Sequence, residues 1–353
     1  MTKTVVYSLS GRSPDSAILK EAAQILDRGG LVVFPTETVY GIAANLLHKG
    51  AMDRLKDLKS RGEVKPFTIH IGDKDDVEKF ACRILPRAYK LMNRFWPGPV
   101  TLVLPAPHEK TVGLRMPKGE TALRLLCSVD FPVVAPSANR AGEQPPTDAA
   151  AVLKSLDGDV DLVLDAGPTE YKKESTVVDA TVLPFRILRE GAVAAAEILS
   201  VSRKKTVLFV CTGNSCRSVM AEYLLKKRIQ ESGRDDLDVL SAGTFAFPGM
   251  APTSETLKLV RSIGGDAAGH RAQKTNADIV RQADVILTME RKHQEELMRQ
   301  FPSEAGRVHL LGEFAGFSSF EAEVSDPIGG NESYYRQCFD QISKMIEKLG
   351  GLL

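Results

Sequence analysis

The residues best suited to do chemistry lie together at Cys211-Thr212-Gly213-Asn214-Ser215-Cys216-Arg217-Ser218. Backbone N–H groups of a tight loop that ends at a helix N-terminus can point inward at an anion. Gly213 and Asn214 tolerate the positive φ values that such a loop requires. Arg217 offers a planar fork that binds two phosphoryl oxygens at once. The same positive surroundings favour a nucleophilic thiolate at Cys211, and Ser218 is placed to donate a hydrogen bond to it. Ser215 and Cys216 complete the loop. A thiolate attacking phosphorus needs an acid for the leaving atom, and Ser325-Asp326-Pro327-Ile328-Gly329-Gly330 supplies Asp326, which Pro327 restricts to extended backbone. Alone, Asp326 marks a turn and Cys211 a buried strand-end cysteine; together they are candidates for covalent phosphoryl transfer.

These groups need a strand before the loop and a helix after it. Thr206–Val210 reads as a buried strand and Val219–Ile229 as a helix. Polar clusters upstream also sit at the ends of apolar runs. Thr36, Glu37 and Thr38 follow Leu31–Phe34, Ser137 and Asn139 follow Phe131–Ala135, and Lys56, Lys59, Arg61 and Lys65 precede the predicted strand Phe67–Ile71, which contains His70. A solvated helix face explains a charge run and a core position explains a single histidine, so these residues alone suggest only phosphate- and carboxylate-binding chemistry.

Strand-like runs alternate with amphipathic stretches, including a predicted helix Ser16–Asp27, along all 353 residues, as in an α/β protein long enough for two domains. A small-residue helix, Ala192–Leu199, followed by a short basic connector, Val201–Lys205, sets the expected domains at 1–202 and 203–353. Lys plus Arg (46) balance Asp plus Glu (45), so no global basic excess announces a nucleic-acid binder. Five cysteines at irregular spacing do not read as a disulfide framework. With no signal peptide and no membrane-spanning apolar run, a cytoplasmic protein without a membrane partner is expected.

Residues 205–353 resemble the low-molecular-weight protein tyrosine phosphatases. Beyond the loop, Ser241-Ala242-Gly243-Thr244, Gly269-His270-Arg271-Ala272 and Ala283-Asp284-Val285-Ile286-Leu287-Thr288-Met289 fall in that family's order. The resemblance implies a central parallel sheet flanked by helices, with Cys211 as nucleophile, Arg217 as phosphate clamp and Asp326 as general acid. Gly213, Asn214, Ser215, Cys216 and Ser218 would shape the phosphate loop, and neither cofactor nor metal is implied. The loop is also similar to that of thioredoxin-coupled arsenate reductases, but Met289–Leu297 lacks the cysteines that those enzymes need. The small hydroxylated Ser215 and the stretch Ser241–Pro248 look more like the bacterial arginine phosphatases, which leaves phosphoarginine and phosphotyrosine both open. A reversible disulfide between Cys211 and Cys216 is a further expectation from the family.

Roughly residues 10–200 resemble the YrdC-type L-threonylcarbamoyladenylate synthases. The match rests on Phe-Pro-Thr-Glu-Thr-Val-Tyr-Gly from Phe34, Lys-Ser-Arg from Lys59, Pro-Phe-Thr-Ile-His-Ile from Pro66, Phe-Trp-Pro-Gly-Pro-Val-Thr-Leu-Val-Leu from Phe95, Ala-Pro-Ser-Ala-Asn from Ala135, Ser-Thr-Val-Val-Asp from Ser175 and Ile-Leu-Arg-Glu-Gly-Ala from Ile187. It implies a twisted α/β fold and the synthesis of threonylcarbamoyl-AMP from threonine, bicarbonate and ATP with Mg²⁺, for tRNA threonylcarbamoyladenosine modification. By motif position, Thr38, His70, Arg115, Ser137 and Ser175 would surround threonine; Lys59, Arg61, Lys65, Thr111, Asn139, Thr147 and Arg189 would hold ATP. Lys65 departs from the pattern, which has asparagine there. The expected protein is thus a bifunctional enzyme, a nucleotidyltransferase joined to a phosphatase of phosphoproteins, with tRNA or a tRNA-modifying transferase complex as further partners. The alternative is an active phosphatase carrying a YrdC-like module that only binds nucleotide or RNA.

Overall fold

The computed structural model describes residues 3–9, 15–60, 66–108, 110–349 and 351–353. The chain divides into two compact units, Met1–Ser202 and Arg203–Leu353.

The first unit contains strands β1 (Val5–Ser8), β2 (Val32–Pro35), β3 (Tyr40–Asn45), β4 (Ile69–His70), β5 (Val100–Pro105), β6 (Thr111–Arg115), β7 (Val133–Val134), β8 (Leu162–Asp165), β9 (Thr176–Asp179) and β10 (Arg186–Arg189). They form one mixed sheet in the order β1-β8-β2-β3-β7-β4-β6-β5-β9-β10. Successive side chains point to opposite faces of a strand. Leu31 and Val33 therefore enter one core while Val32 and Phe34 enter another. Both faces are covered, which is why β2 reads as an unbroken apolar run. The helix Ser16–Asp27 has the expected bounds; Asp15 caps it by accepting from Ala17 N, and it buries Leu19, Ala22 and Leu26.

Two elements differ from the sequence reading. The strand expected over Phe67–Ile71 shrinks to β4, where His70 pairs with Arg115 of β6 and with Val133 of β7. The helix expected at Ala192–Leu199 spans Ala195–Arg203 instead. Thr176 Oγ1 accepts from Gly191 N (2.9 Å) and Val193 N (3.1 Å) and donates to Val193 O (2.5 Å), which holds that segment against β9. The helix then consumes most of the supposed basic connector, leaving Lys204 between it and the next strand.

In the second unit β11 (Lys205–Cys211), β12 (Leu237–Gly243), β13 (Val285–Thr288) and β14 (Val308–Leu310) form an all-parallel sheet in the order β12-β11-β13-β14. Along β11, Val207, Phe209 and Cys211 face the core shared with the helices Arg217–Glu231 and Glu332–Leu349, while Leu208 and Val210 face the opposite core. The alternation that builds the core thus delivers Cys211 to the strand's C-terminal end, on the helix-covered face. Phe209 is fully buried. Phe209→Ala should destabilise this unit by about 3–5 kcal/mol, read by chemical denaturation followed through circular dichroism, because the cavity cannot fully collapse.

Candidate functional site

Each unit gathers polar groups at strand ends. In the first unit a cavity of about 570 Å³ is lined by Lys59, His70, Thr111, Arg115, Ser137, Ser175 and Arg189, together with Thr36, Tyr40, Thr68, Thr101 and Glu174. Seven expected ligand-binding residues therefore meet at one place. Thr38 is buried beneath it, donating or accepting with Thr36 at 2.9 Å and accepting from Arg115 at 2.8 Å. Asn139 stands behind Lys59, and Thr147 is half-buried and absent from the lining. Arg61 and Lys65 lie outside the described residues.

Arg115 forms the floor. Its side chain is 6% exposed and its guanidinium donates to Glu37 Oε1 at 2.6 Å, while Glu37 Oε2 accepts from Lys118 N at 2.8 Å. A buried ion pair of this kind survives only with good geometry and further hydrogen bonds, both of which are present. Lys59 Nζ donates to Asn139 O (2.7 Å), Ser137 O (3.1 Å) and Asn139 Oδ1 (3.1 Å). At the rim Arg189 donates to Glu174 Oε1 (2.6 Å) and Ser175 O (3.0 Å), and Ser175 shares a 2.9 Å hydrogen bond with Thr101. His70 is held neutral: burial and then the charge of Arg115 push its pKa down to about 3. Three cations and a ring of hydroxyls suit a ligand carrying phosphate and carboxylate groups.

In the second unit the loop between β11 and the helix Arg217–Glu231 wraps the Cys211 sulfur. Asn214 N donates to Cys211 Sγ at 3.3 Å, and Ser218 Oγ lies 3.0 Å from it. Asn214 takes φ +52°, the left-handed conformation, and its Nδ2 donates to Ser218 Oγ (3.0 Å) and Ser241 Oγ (2.8 Å). With its oxygen accepting from Asn214, Ser218 is left to donate its proton to the sulfur. Gly243 packs so closely that a Cβ there would sit 2.4 Å from Thr212 O, which fixes the loop from beneath. Cys216 precedes the helix and no side chain caps the first turn, so its N–H groups remain available to an anion.

Arg217 is 1% exposed. Its NH1 donates to Glu290 and to Val324 O (2.9 Å), and its NH2 donates to Asp326 and to Thr212 Oγ1 (3.2 Å). Its Nε is buried with no partner, the donor that a phosphoryl oxygen would satisfy. Burial works to raise the Glu290 carboxyl, yet hydrogen bonds from Arg217 and Lys292 hold it below the usual range. The structure thus gathers Cys211, Gly213, Asn214, Ser215, Cys216, Arg217, Ser218 and Asp326 around one seat. Glu37, Glu290, Thr212 and His293 carry contacts that no motif assigned. For Glu290 a signal existed: it lies two residues past β13, at the carboxyl ends of parallel strands where ligands gather.

The chain thus joins an α/β unit with a cationic cleft to an α/β unit whose cysteine lies at a loop ending in a helix N-terminus. Residues 24–191 match the Sua5/YciO/YrdC family model, whose description reads telomere recombination, and residues 206–352 match the low molecular weight phosphotyrosine protein phosphatase model. A threonylcarbamoyl-AMP synthase of Pyrococcus abyssi is 40% identical over 207 residues, covering 56% of this chain and 61% of the relative. A threonylcarbamoyl-AMP synthase assigned as putative in Mycobacterium tuberculosis H37Rv is 37% identical over 189 residues, covering 51% of this chain and 87% of the relative. The crystal structure of P. abyssi Sua5 complexed with L-threonine aligns with TM-score 0.54 and 27% identity, over 86% of this chain and 99% of that one. The chain spans 61% and 59% of the length of the P. abyssi synthase and of one from Bacillus subtilis. The chain belongs to the Sua5/YciO/YrdC family through its first unit, and its second unit matches the low molecular weight phosphotyrosine protein phosphatase model.

The neutral His70 has a measurable consequence. Its folded pKa lies below the ordinary value of 6.5, so the unfolded state binds the extra proton between about pH 6.5 and pH 3. Stability of this unit should fall as pH drops through that window. Trp96, the sole tryptophan, is buried in this unit and reports its unfolding by fluorescence. His70→Asn should lose less stability than wild type between pH 7 and pH 5; equal losses would contradict the assignment.

Proposed function

We propose that the chain is a bifunctional enzyme. The first unit makes L-threonylcarbamoyladenylate and pyrophosphate from threonine, bicarbonate and ATP, and its product serves tRNA threonylcarbamoyladenosine modification. The convergence of Lys59, His70, Thr111, Arg115, Ser137, Ser175 and Arg189 on one cavity carries this reading. Arg115, with Thr38, His70, Ser137 and Ser175, binds threonine and its carbamate. Lys59 and Arg189, with Thr111, Asn139, Thr147, Arg61 and Lys65, hold the nucleotide. Attack of a carbamate on the α-phosphate brings anions together, and fixed cations stabilise that approach. Mg²⁺ arrives on the nucleotide phosphates and neutralises part of their charge. No group of three or more His, Cys, Asp or Glu side chains among the described residues is arranged to hold a metal by itself.

The second unit hydrolyses phosphoprotein. The Cys211 thiolate attacks phosphorus, Arg217 and the loop N–H groups hold the equatorial oxygens, and Asp326 protonates the leaving atom. Water then cleaves the cysteinyl phosphate, with Asp326 taking its proton. The orphan Nε of buried Arg217 beside Cys211 carries this reading. The small, buried Ser215 favours phosphoarginine. Phe245, exposed beside the loop through Phe245 N to Thr212 O (3.0 Å), favours phosphotyrosine instead. The ratio of kcat/KM for the two phosphopeptides decides between them. Thiolate chemistry and five cysteines without a disulfide suit the cytoplasm, and no described helix is long and apolar enough to cross a membrane.

Full-length protein should release pyrophosphate only when threonine accompanies ATP, bicarbonate and Mg²⁺, and Lys59→Ala should lower that rate at least tenfold. Release without threonine dependence would leave the first unit a nucleotide-binding module. Cys211→Ser should abolish hydrolysis of p-nitrophenyl phosphate and leave pyrophosphate release unchanged. Loss of both in a folded variant would refute two separate sites.

A further inference from the structure

The Arg217 guanidinium faces a mechanical problem. Its NH2 is held by Asp326 and by Thr212 Oγ1. Under the proposed phosphatase reading, on which this inference rests, Asp326 must leave Arg217 to protonate the leaving atom. Thr212 is then the remaining side-chain acceptor on NH2 among the described residues.

Thr212 is itself held from behind. His293 Nε2 lies 2.8 Å from Thr212 Oγ1 and 3.7 Å from Glu290 Oε2. The imidazole is 2% exposed and its Nδ1 is buried with no partner. With Nε2 bare, the Thr212 hydroxyl would donate to it, but an Nδ1–H would then be buried without an acceptor and the Nε2 lone pair would face the Glu290 carboxylate. A proton on Nε2 instead attracts both oxygens and leaves only a lone pair unused on Nδ1, so Nε2 donates. Burial and then the nearby Arg217 charge push the pKa of His293 down to about 4, which keeps a second proton, and its repulsion of Arg217, out of the neutral range.

We propose that His293 is a positioning residue of the phosphatase site: through Thr212 it keeps the Arg217 fork in the plane that phosphate requires when Asp326 turns to the leaving group. The chain His293–Thr212–Arg217 links the first turn of the helix Arg291–Gln300 to the phosphate loop. His293 touches no reacting atom and acts only through the threonine hydroxyl.

The test is a cycle of four full-length proteins: wild type, His293→Ala, Thr212→Val and the double variant, assayed with p-nitrophenyl phosphate and with orthovanadate as competitive inhibitor. Each single variant should lower kcat about tenfold and weaken vanadate inhibition by a similar factor. The double variant should be no worse than Thr212→Val, because both changes cut the same link. His293→Gln, whose amide can reach the Nε2 position, should recover most of the activity. Losses that multiply in the double variant, or a folded His293→Ala with wild-type kinetics, would overturn the proposal. Inactive wild-type protein would instead refute the phosphatase reading. Threonine-dependent pyrophosphate release, expected unchanged in all four, controls for global damage.

Discussion

Both units depend on holding a guanidinium out of water without neutralising its use. Arg115 and Arg217 are almost completely buried, and each is held by carboxylates: Glu37 in one unit, Glu290 and Asp326 in the other. Removing a charge from water costs several kcal/mol unless partners replace the lost hydration. Fixed acceptors on the protein side meet that cost and set the plane of the fork. The unsatisfied side then faces the ligand, as the orphan Nε of Arg217 does. Most of the remaining architecture serves these two placements. β4 and β6 put His70 and Arg115 side by side, while β11 carries Cys211 to the edge of the loop that Arg217 closes.

The two seats solve the problem with different rigidity. Glu37 is tied to a backbone N–H as well as to Arg115, so that pair is a static floor. Asp326 sits on a turn before the last helix and is about one third exposed, which leaves it room to exchange Arg217 for a leaving group. Glu290, more buried and bonded also by Lys292, is the stationary partner. A floor that stays and an acid that moves suit the two proposed activities: adenylation needs fixed cations, and phosphoryl transfer needs a travelling proton.

Sequence made the second site legible because its chemistry is contiguous: eight residues in one loop, between a strand and a helix whose signals are strong. Asp326 came from the chemical need for an acid. The first site was legible only as scattered motifs, since no local pattern says that residues 59, 115, 137 and 189 line one cavity; strand order decides that. The order β4-β6-β5-β9 cannot be read from periodicity. The connector at 201–205 misled because the hold of Thr176 on Gly191 and Val193 is a long-range contact that delays the helix. His293 was invisible for a similar reason: a histidine five residues after a strand acquires meaning only when β13 lies beside β11.

The most direct measurement is a crossed calorimetric titration of full-length protein and its Arg115→Lys and Arg217→Lys variants, each with L-threonine and with orthovanadate. Lysine keeps the charge and loses the fork. Each variant should lose one ligand and retain the other at wild-type affinity: threonine for Arg115→Lys, vanadate for Arg217→Lys. Wild-type affinity for both ligands in a variant would contradict the buried fork as the element that defines its seat.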